Sequence, residues 1–226
     1  MEKTAKVVCV IPTLNEAATV AEVVDKAKQI VHRVVVVDGH SEDGTYEIAS
    51  DAGADVILQD GEGKGMALRT AFTKIEEDVC VILDGDATYD PLEMVHIIKP
   101  ILEDEADMVV GSRLKGTMED GAITWLNKVG NGFFNFLINS FFNGNVTDSQ
   151  SGYRALNRKA IESLDISSKG FEVETEMTIK ALKQGLRVKE VPITYSMRRG
   201  TPSKLNSIKA GSNIFKTIIN SSLGRF

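Results

Sequence analysis

Asp84 and Asp86 are the residues whose type and spacing most clearly indicate chemistry. They flank Gly85 directly after the apolar run Val79–Leu83, so a continued extended backbone would turn both carboxylates to the same side. Two carboxylates this close repel each other, and a hard divalent cation such as Mg²⁺ or Mn²⁺ offsets that repulsion while it also takes substrate phosphates. The alternative is a solvated turn, because Asp and Gly favour turns. We predict a metal site at Asp84 and Asp86.

Lys64 and Asp38 are candidates for contacts with a nucleotide. Lys64 lies in the glycine-rich stretch Gly61–Gly65 before a predicted helix, where backbone N–H groups attract phosphate. The alternative is a loop that is merely flexible. Asp38 ends another apolar run, at a place where acidic residues contact a ribose or a base. Its alternative is a turn or N-cap role, for which Ser41 and Asp43 are also candidates.

These polar residues follow short apolar runs that alternate with helical patterns, which is typical of parallel strands in βαβ units. The predicted strands are Val7–Ile11, Val34–Val37, Asp55–Leu58 and Val79–Leu83, with helices opening at Asn15-Glu16 and over Met66–Ile75. The carboxyl ends of parallel strands meet at one edge of the sheet, where ligands bind. The polar residues there should therefore converge on one crevice. They are Asn15, Glu16, Asp38, Lys64, Asp84 and Asp86.

The second half of the chain is less regular. Met108–Gly111 predicts a strand, and Arg187–Tyr195 predicts another whose Pro192 places it at an edge or a bulge. Helices are expected near Arg158–Leu164 and over Glu172–Gln184, with Gly185 capping the latter. Several basic residues fall at loop positions, where phosphate groups are natural partners and an ordinary surface role is the alternative. They are Arg113, Arg154, Arg198, Arg199 and Lys204.

Two segments concentrate apolar side chains. Residues 123–142 hold five of the nine phenylalanines, but their Gly, Asn and Lys residues exclude a membrane-spanning helix. Residues 201–226 carry apolar side chains at helical spacing with lysines on other faces, as in a helix that lies on an anionic membrane surface. Packing on the chain's own domain or on a dimer partner is the equal alternative. We therefore divide the chain into a domain over 1–200 and an amphipathic segment over 201–226.

Composition narrows the classes of function. The 226 residues suit one large α/β domain, and a net charge of −6 argues against nucleic-acid binding, which needs a basic face. Cys9 and Cys80 lie inside apolar runs, so two buried thiols in neighbouring strands are favoured over a disulfide. The sequence contains no secretory signal pattern and no run of about 18 apolar residues. We expect a cytoplasmic protein that is soluble or peripheral on the membrane.

Together these motifs resemble glycosyltransferase family 2, whose members have the GT-A fold. Residues 11–16 resemble its first-strand motif, residues 37–45 its second, and Asp84-Gly85-Asp86 its metal-binding motif. Within the family the chain is most similar to dolichyl- or polyprenyl-phosphate mannose or glucose synthases. The residues that carry this similarity are Gly111-Ser112-Arg113, Asp148 with Ser151-Gly152-Tyr153, Phe171–Met177, Glu190–Ile193 and Arg198-Arg199 with Ser203-Lys204.

Two positions depart from the family pattern. Gly39 stands where the second motif usually has another Asp, so nucleoside contacts must rest on Asp38. Thr88 stands where the mannose synthases commonly carry Gln, which leaves a third side-chain metal ligand open.

The resemblance implies an α/β domain of the GT-A type, with a mainly parallel sheet and helices on both faces. It also implies inverting transfer of a hexose from GDP-mannose, UDP-glucose or a UDP-N-acetylhexosamine to dolichyl or polyprenyl phosphate, with Mg²⁺ or Mn²⁺ at Asp84 and Asp86. Catalysis would rest on Asp84, Asp86, Arg113 and Arg199. The nucleotide sugar would contact Pro12, Asn15, Glu16, Asp38, Lys64 and Asp84-Gly85-Asp86. The acceptor phosphate would contact Arg113, Ser151, Arg199 and Lys204.

Other functions remain as alternatives. A family 2 transferase with a soluble hydroxyl acceptor needs a general base, for which Asp148 is the candidate. A nucleotide-sugar-binding domain without turnover is a second alternative, and intact metal, donor and acceptor motifs argue against it. A nucleotidyltransferase would need a glycine-rich signature near the N-terminus, where residues 11–16 stand instead.

Overall fold

The computed structural model describes residues 5–200 and 207–224. The first half alternates strands and helices: β1 Val7–Thr13, α1 Val20–Ala27, β2 Arg33–Asp38, α2 Thr45–Asp51, β3 Asp55–Leu58, α3 Lys64–Phe72 and β4 Val79–Ile82. A 3₁₀ turn, Pro91–Glu93, leads into the second half. There follow α4 Met94–Leu102, β5 Met108–Met118, α5 Trp125–Phe142, β6 Arg154–Asn157, α6 Arg158–Ser163, α7 Val173–Lys183, β7 Val188–Tyr195 and α8 Ser207–Ser222.

The seven strands form one sheet in the order β3-β2-β1-β4-β6-β5-β7. Every pairing is parallel except those of β6, which runs antiparallel to both β4 and β5. This confirms the expected mainly parallel α/β architecture. β7 lies at the edge, where the missing N–H of Pro192 is tolerated, and its pairing with β5 shifts register between Ser112 and Thr117.

Helices cover both faces of the sheet because the strands are apolar on both sides. Along β1, Cys9 and Ile11 pack into the cluster that includes α1 and α4, whereas Val8 and Val10 pack into the cluster with α3, α6 and α7. Cys80 belongs to the second cluster, so the sheet separates the two thiols. Both cysteines are free and buried, as the sequence indicated.

Three elements begin or end more than two residues away from their predicted bounds. α1 begins at Val20 rather than at Asn15-Glu16, because Asn15 has a positive φ of 57° that cannot continue into a right-handed helix. β5 extends to Met118 instead of ending at Gly111, since β7 pairs with it over Met108–Ser112 and again at Thr117 and Met118. α3 begins at Lys64 and ends at Phe72, rather than spanning Met66–Ile75.

The C-terminal helix α8 packs on the rest of the chain. Ile214 and Ile218 are buried in a third apolar cluster with Ile138 of α5 and Ile179 of α7. One face of α8 therefore packs on the chain's own domain, which was one of the alternatives for this segment. Ile208 and Phe215 remain exposed. Within the described residues, no helix is long and apolar enough to cross a membrane.

Candidate active site

The loops after β1, β2 and β4 meet at the carboxyl edge of the sheet, as the topology predicted. The Thr19 hydroxyl donates to the Gly85 carbonyl oxygen at 2.7 Å, which ties the loop after β1 to the metal motif. A Cβ at Gly85 would lie 2.8 Å from the methyl group of Thr13, so glycine allows the metal motif to approach the end of β1 this closely. Sequence-distant motifs therefore share one crevice.

The loops after β1 and β2 are joined by hydrogen bonds. The Asn15 amide donates to Ser41 Oγ at 2.8 Å, and Asn15 Oδ1 accepts from the Glu42 amide at 2.9 Å. Asp38 is buried and accepts from the Ser41 amide and hydroxyl at 2.9 and 2.6 Å. Asp38 thus fulfils the turn role that was the alternative for it, and it lies at the crevice predicted for a nucleoside.

Gly39, directly after β2, lies close to the end of β1 and to Gln59 because it has no side chain. Its amide donates to the Thr13 carbonyl oxygen at 2.8 Å, and a Cβ there would lie 3.3 Å from Oε1 of Gln59. The buried Gln59 side chain therefore fills the space beside Gly39, and Gln59 was absent from the sequence-based site. Pro12 lies beside this region as a partly buried residue of β1.

Lys64 connects the metal motif to α7. Its ammonium group lies 2.5 Å from Asp84 Oδ1 and 2.7 Å from Glu174 Oε1. Burial alone lowers the pKa of Lys64, but the two carboxylates outweigh burial and raise the pKa above its ordinary value, so the side chain is a cation. A Cβ at Gly152 would lie 2.6 Å from Asp84 Oδ2 and 2.8 Å from Lys64 Nζ, so Gly152 leaves the room that this pair needs.

The glycine-rich stretch at residues 61–65 packs against backbone at Gly63 and Gly65, which argues against a merely flexible loop there. The Gly65 amide donates to the Lys169 carbonyl oxygen at 2.8 Å. A Cβ at Gly63 or Gly65 would collide with the backbone of residues 168–169. These glycines allow backbone to touch backbone, and they fix Lys64 at the start of α3.

Asp86 uses both of its carboxylate oxygens. Oδ1 accepts from the Thr88 hydroxyl at 2.7 Å, so Thr88 orients Asp86 at the position where related synthases carry Gln. Oδ2 forms an ion pair with Arg198, whose guanidinium also pairs with Glu16. Arg199, which the resemblance assigns to the acceptor phosphate, pairs with Glu22 at the surface at 2.7 Å. Of the two adjacent arginines, Arg198 is therefore the one beside Asp86.

Asp148 and Arg113 form a second, buried ion pair. Asp148 has no exposed surface, and its oxygens accept from Arg113 Nε and Nη2, each at 2.7 Å, and from the Arg113 amide at 2.9 Å. Asn131 of α5 donates a further bond to Asp148 Oδ1 at 2.7 Å. The Arg113 guanidinium lies over the ring of Tyr195, 5.1 Å from its centroid.

Three asparagines of α5, four residues apart, bond to the segment 146–149. Besides Asn131, Asn135 Oδ1 accepts from the Ser149 amide at 3.0 Å, and Asn139 exchanges two bonds of 2.9 Å with the Val146 backbone. The sequence-based site lacks these residues, although asparagines spaced by one helical turn in a Phe-rich helix were a signal that could have found them. We call Asn131, Asn135 and Asn139 the amide ladder.

Ser151 and Lys204 complete the list of predicted site residues. Ser151 is fully buried, and its Oγ accepts from the Tyr153 amide at 3.4 Å. The direct contact of Ser151 with an acceptor phosphate stays a prediction, and in this structure the buried hydroxyl contacts the backbone of its own loop. Arg154, also fully buried, donates hydrogen bonds to the carbonyl oxygens of Ser149 and Ser151. Lys204 lies outside the described residues.

Comparison with known proteins identifies the family. Residues 8–165 match the model of glycosyl transferase family 2. The chain belongs to this family. It is 39% identical over 216 residues to glycosyltransferase AglJ of Haloferax volcanii, covering 94% of this chain and 71% of the relative. It is 31% identical over 248 residues to the UDP-N-acetylglucosamine–dolichyl-phosphate N-acetylglucosaminyltransferase of Methanococcus voltae, covering 96% of both chains.

A solved structure supports the fold assignment. Glucosyl-3-phosphoglycerate synthase from Mycobacterium tuberculosis, in complex with Mn²⁺, UDP and phosphoglyceric acid, superposes with a TM-score of 0.80 at 22% identity, covering 97% of this chain and 79% of that one. The protein is thus a family 2 glycosyltransferase with the GT-A fold expected from its motifs.

The carboxylates at the crevice fit a divalent cation whose coordination shell is completed by a ligand. Asp84 and Asp86 supply hard oxygen donors, and Gly85 and Gly152 leave space beside them. Among residues 5–200 and 207–224, no group of three or more His, Cys, Asp or Glu side chains is arranged to hold a metal ion. Mg²⁺ is commonly held by one or two carboxylates together with substrate phosphates and water, and Asp84 and Asp86 fit that kind of site.

Proposed function

We propose that the chain transfers a hexose, with inversion, from a nucleotide diphosphate sugar to polyprenyl or dolichyl phosphate. The state of Asp148 is the observation that carries this proposal. A hydroxyl acceptor needs a base to remove its proton, and Asp148 was the candidate. All of its oxygens face Arg113 and Asn131, and the side chain has no exposed surface. A phosphate acceptor needs no such base, because it is already an anion at neutral pH.

On the donor side, the diphosphate would lie at Asp84 and Asp86, with the nucleoside along Pro12, Asn15, Glu16 and Asp38. A bound Mg²⁺ or Mn²⁺ would neutralise the charge that develops on the leaving diphosphate. Lys64 would hold Asp84 in place from the side of α7. An acceptor phosphate oxygen would attack the anomeric carbon as the bond to the diphosphate breaks, which releases a nucleoside diphosphate.

On the acceptor side, the proposal assigns the phosphate to Arg113, together with Arg199 and Lys204. Asp148 accepts hydrogen bonds from Nε and Nη2 of Arg113, so Nη1 is left to donate to a phosphate oxygen. The same ion pair fixes the guanidinium in one orientation, so little side-chain entropy is lost when the phosphate binds.

The names of relatives agree with a lipid phosphate acceptor and differ in the sugar. One 32% identical relative is the dolichyl-phosphate hexose transferase of Haloferax volcanii, and it matches over 93% of this chain and 91% of its own length. The Methanococcus voltae relative is named for UDP-N-acetylglucosamine. GDP-mannose, UDP-glucose and UDP-N-acetylhexosamines are therefore the donors to test.

The proposal includes a peripheral position on the cytoplasmic face of the membrane, where a polyprenyl phosphate would be reached. One face of α5 supports it, because large apolar side chains there are exposed while the amide ladder faces inward. Such a face can enter the boundary between lipid headgroups and acyl chains. The exposed residues are Trp125, Leu126, Val129, Phe133 and Phe136 of α5, with Ile208 and Phe215 of the neighbouring α8.

The decisive experiment supplies the purified chain with each of the three donors, Mn²⁺ and a short polyprenyl phosphate in detergent. We expect one donor to yield a polyprenyl-phosphate hexose, identified by mass spectrometry, and its nucleoside diphosphate. The matched acceptor is the corresponding polyprenol, which lacks the phosphate and should remain unglycosylated. Transfer to the polyprenol or to a soluble sugar hydroxyl, with none to the lipid phosphate, would contradict the proposal.

A further inference from the structure

Arg198 is bound to the same carboxylate, Asp86, that a divalent cation at the metal motif would use. Its guanidinium pairs with Oδ2 of Asp86 through Nη1 and with Oε1 of Glu16 through Nη2. The two carboxylates come from different strand ends, after β4 and after β1, and Arg198 reaches them from the chain after β7. One positive side chain thus links two acids that would otherwise repel each other across the crevice.

The other oxygen of Asp86 is also in use. Thr88 donates to Oδ1 through its hydroxyl at 2.7 Å and through its amide at 3.1 Å. Oδ1 therefore already accepts two hydrogen bonds, and a cation is left with Oδ2, where the guanidinium of Arg198 uses one lone pair and places its positive charge beside the other. Arg198 is the easier group to displace, because Thr88 is two residues away on the same loop, whereas 23% of the Arg198 side chain is exposed.

We propose that Arg198 is a built-in competitor for the metal, and that the donor diphosphate releases it. In the donor-free protein, Arg198 neutralises Asp86 and Glu16 and so weakens metal binding. The diphosphate offers the guanidinium a bidentate anionic partner, which frees Asp86 for the cation. This inference rests on the proposed donor, because it requires a diphosphate in the crevice.

The consequence is that metal and nucleotide bind cooperatively. A group that opposes the metal in the free protein and favours the nucleotide in the complex makes each ligand strengthen the binding of the other, by the same factor in both directions. Metal would then bind mainly with donor present.

The test measures Mn²⁺ affinity through the electron paramagnetic resonance signal of free Mn²⁺, without an acceptor and without turnover. We expect Arg198→Gln to bind Mn²⁺ about tenfold more tightly than the wild type in the absence of nucleotide. Adding UDP or GDP should strengthen Mn²⁺ binding more in the wild type than in Arg198→Gln. The matched control is Arg199→Gln, which removes the same charge from the adjacent residue, whose partner is Glu22, and should leave Mn²⁺ affinity unchanged.

Equal or weaker Mn²⁺ binding by nucleotide-free Arg198→Gln would overturn the inference, as would an equal gain in Arg199→Gln. The expected gain cannot come from misfolding, which would weaken binding. Arg198→Lys, which keeps the charge, should stay close to the wild type, and a gain as large as that of Arg198→Gln would count against competition by charge. Failure of the proposed lipid acceptor would leave these values untouched, so the two failures can be told apart, and absence of any effect of UDP or GDP on Mn²⁺ binding by the wild type would overturn the inference.

Discussion

The donor side and the acceptor side of the crevice both contain paired charges, but they differ in burial. On the donor side, Asp86 pairs with Arg198, of which 23% is exposed. On the acceptor side, Asp148 has no exposed surface and pairs with Arg113 through two nitrogens. A partly exposed pair costs little to rearrange, whereas a buried pair cannot lose one partner without leaving an uncompensated charge.

This difference indicates separate tasks for the two regions. On the donor side, the proposed exchange of partners concerns Asp86, whose partner Arg198 is 23% exposed, whereas Lys64, the partner of Asp84, is only 10% exposed and stays in place. The acceptor side is built to keep one arrangement, since α5 supports it through the amide ladder. In the proposed reaction, Arg113 would then meet the acceptor phosphate without moving.

The largest effect on activity is expected from Asp86→Ala. Loss of this carboxylate removes an oxygen ligand next to the diphosphate, so transfer should fall by about 10³-fold, and EDTA should abolish transfer by the wild type. The assay is sugar transfer at saturating donor. Asp51→Ala, which removes an exposed carboxylate at the end of α2, should leave the rate unchanged. Full activity of the wild type in the presence of EDTA would contradict a metal requirement on the donor side.

The largest effect on stability is expected from Asp148→Asn. The neutral side chain leaves Arg113 as a buried, uncompensated cation, so the free energy of unfolding should fall by about 3–5 kcal/mol. Urea denaturation measures it. The matched variant Asp104→Asn breaks an Asp–Arg pair with Arg187 whose carboxylate side is 91% exposed, and should cost about 0–1 kcal/mol. An equal loss of unfolding free energy in the two variants would show that the Asp148–Arg113 pair does not stabilise the fold more than a surface pair does.

A smaller effect is expected from Asn131→Ala in the amide ladder. Asp148 keeps its bonds to Arg113 but loses its support from α5, so the KM for polyprenyl phosphate should rise about tenfold while the KM for the donor stays constant. Asn127→Ala on the same helix is the control, and Asn127 is partly exposed. Equal changes in both KM values would mean that the ladder only stabilises the fold.

The smallest effect is expected from Phe136→Ser on the outer face of α5. The loss of one exposed ring should weaken binding to anionic vesicles by a few fold, because membrane affinity scales with buried apolar area. Cosedimentation with the vesicles measures it. Leu102→Ser, at an exposed apolar residue at the end of α4, should not change binding. Equal weakening by both substitutions would argue against a membrane role of this face.

Much of the donor side could be predicted from the sequence because it depends on local patterns. Apolar runs mark β1, β2 and β4, and parallel topology then brings the residues after them to one edge. The structure confirms this for the loops that carry Asn15, Asp38 and Asp84. It adds Glu174 as a partner of Lys64, a contact across 110 positions of the chain that no local pattern indicates.

The acceptor side was harder to predict, because its residues take their roles from partners far away in the chain. Asp148 reads in the sequence as a candidate base, and only its contacts with Arg113 and Asn131 make it a support. Arg198 and Arg199 are adjacent and identical in type, and only the path of the chain after β7 decides which one reaches Asp86.

The α/β fold and the carboxylate pair at the end of β4 followed from local patterns along the chain, and the resemblance of the motifs gave the glycosyltransferase family. Hydrophobic periodicity and strand-end chemistry are local properties, so they can be read along the chain. Tertiary structure alone decided which charges meet: Lys64 with Asp84 and Glu174, Arg198 with Asp86 and Glu16, and Arg113 with Asp148. The reason is physical, since an ion pair depends on distance and burial in space, and separation along the sequence fixes neither.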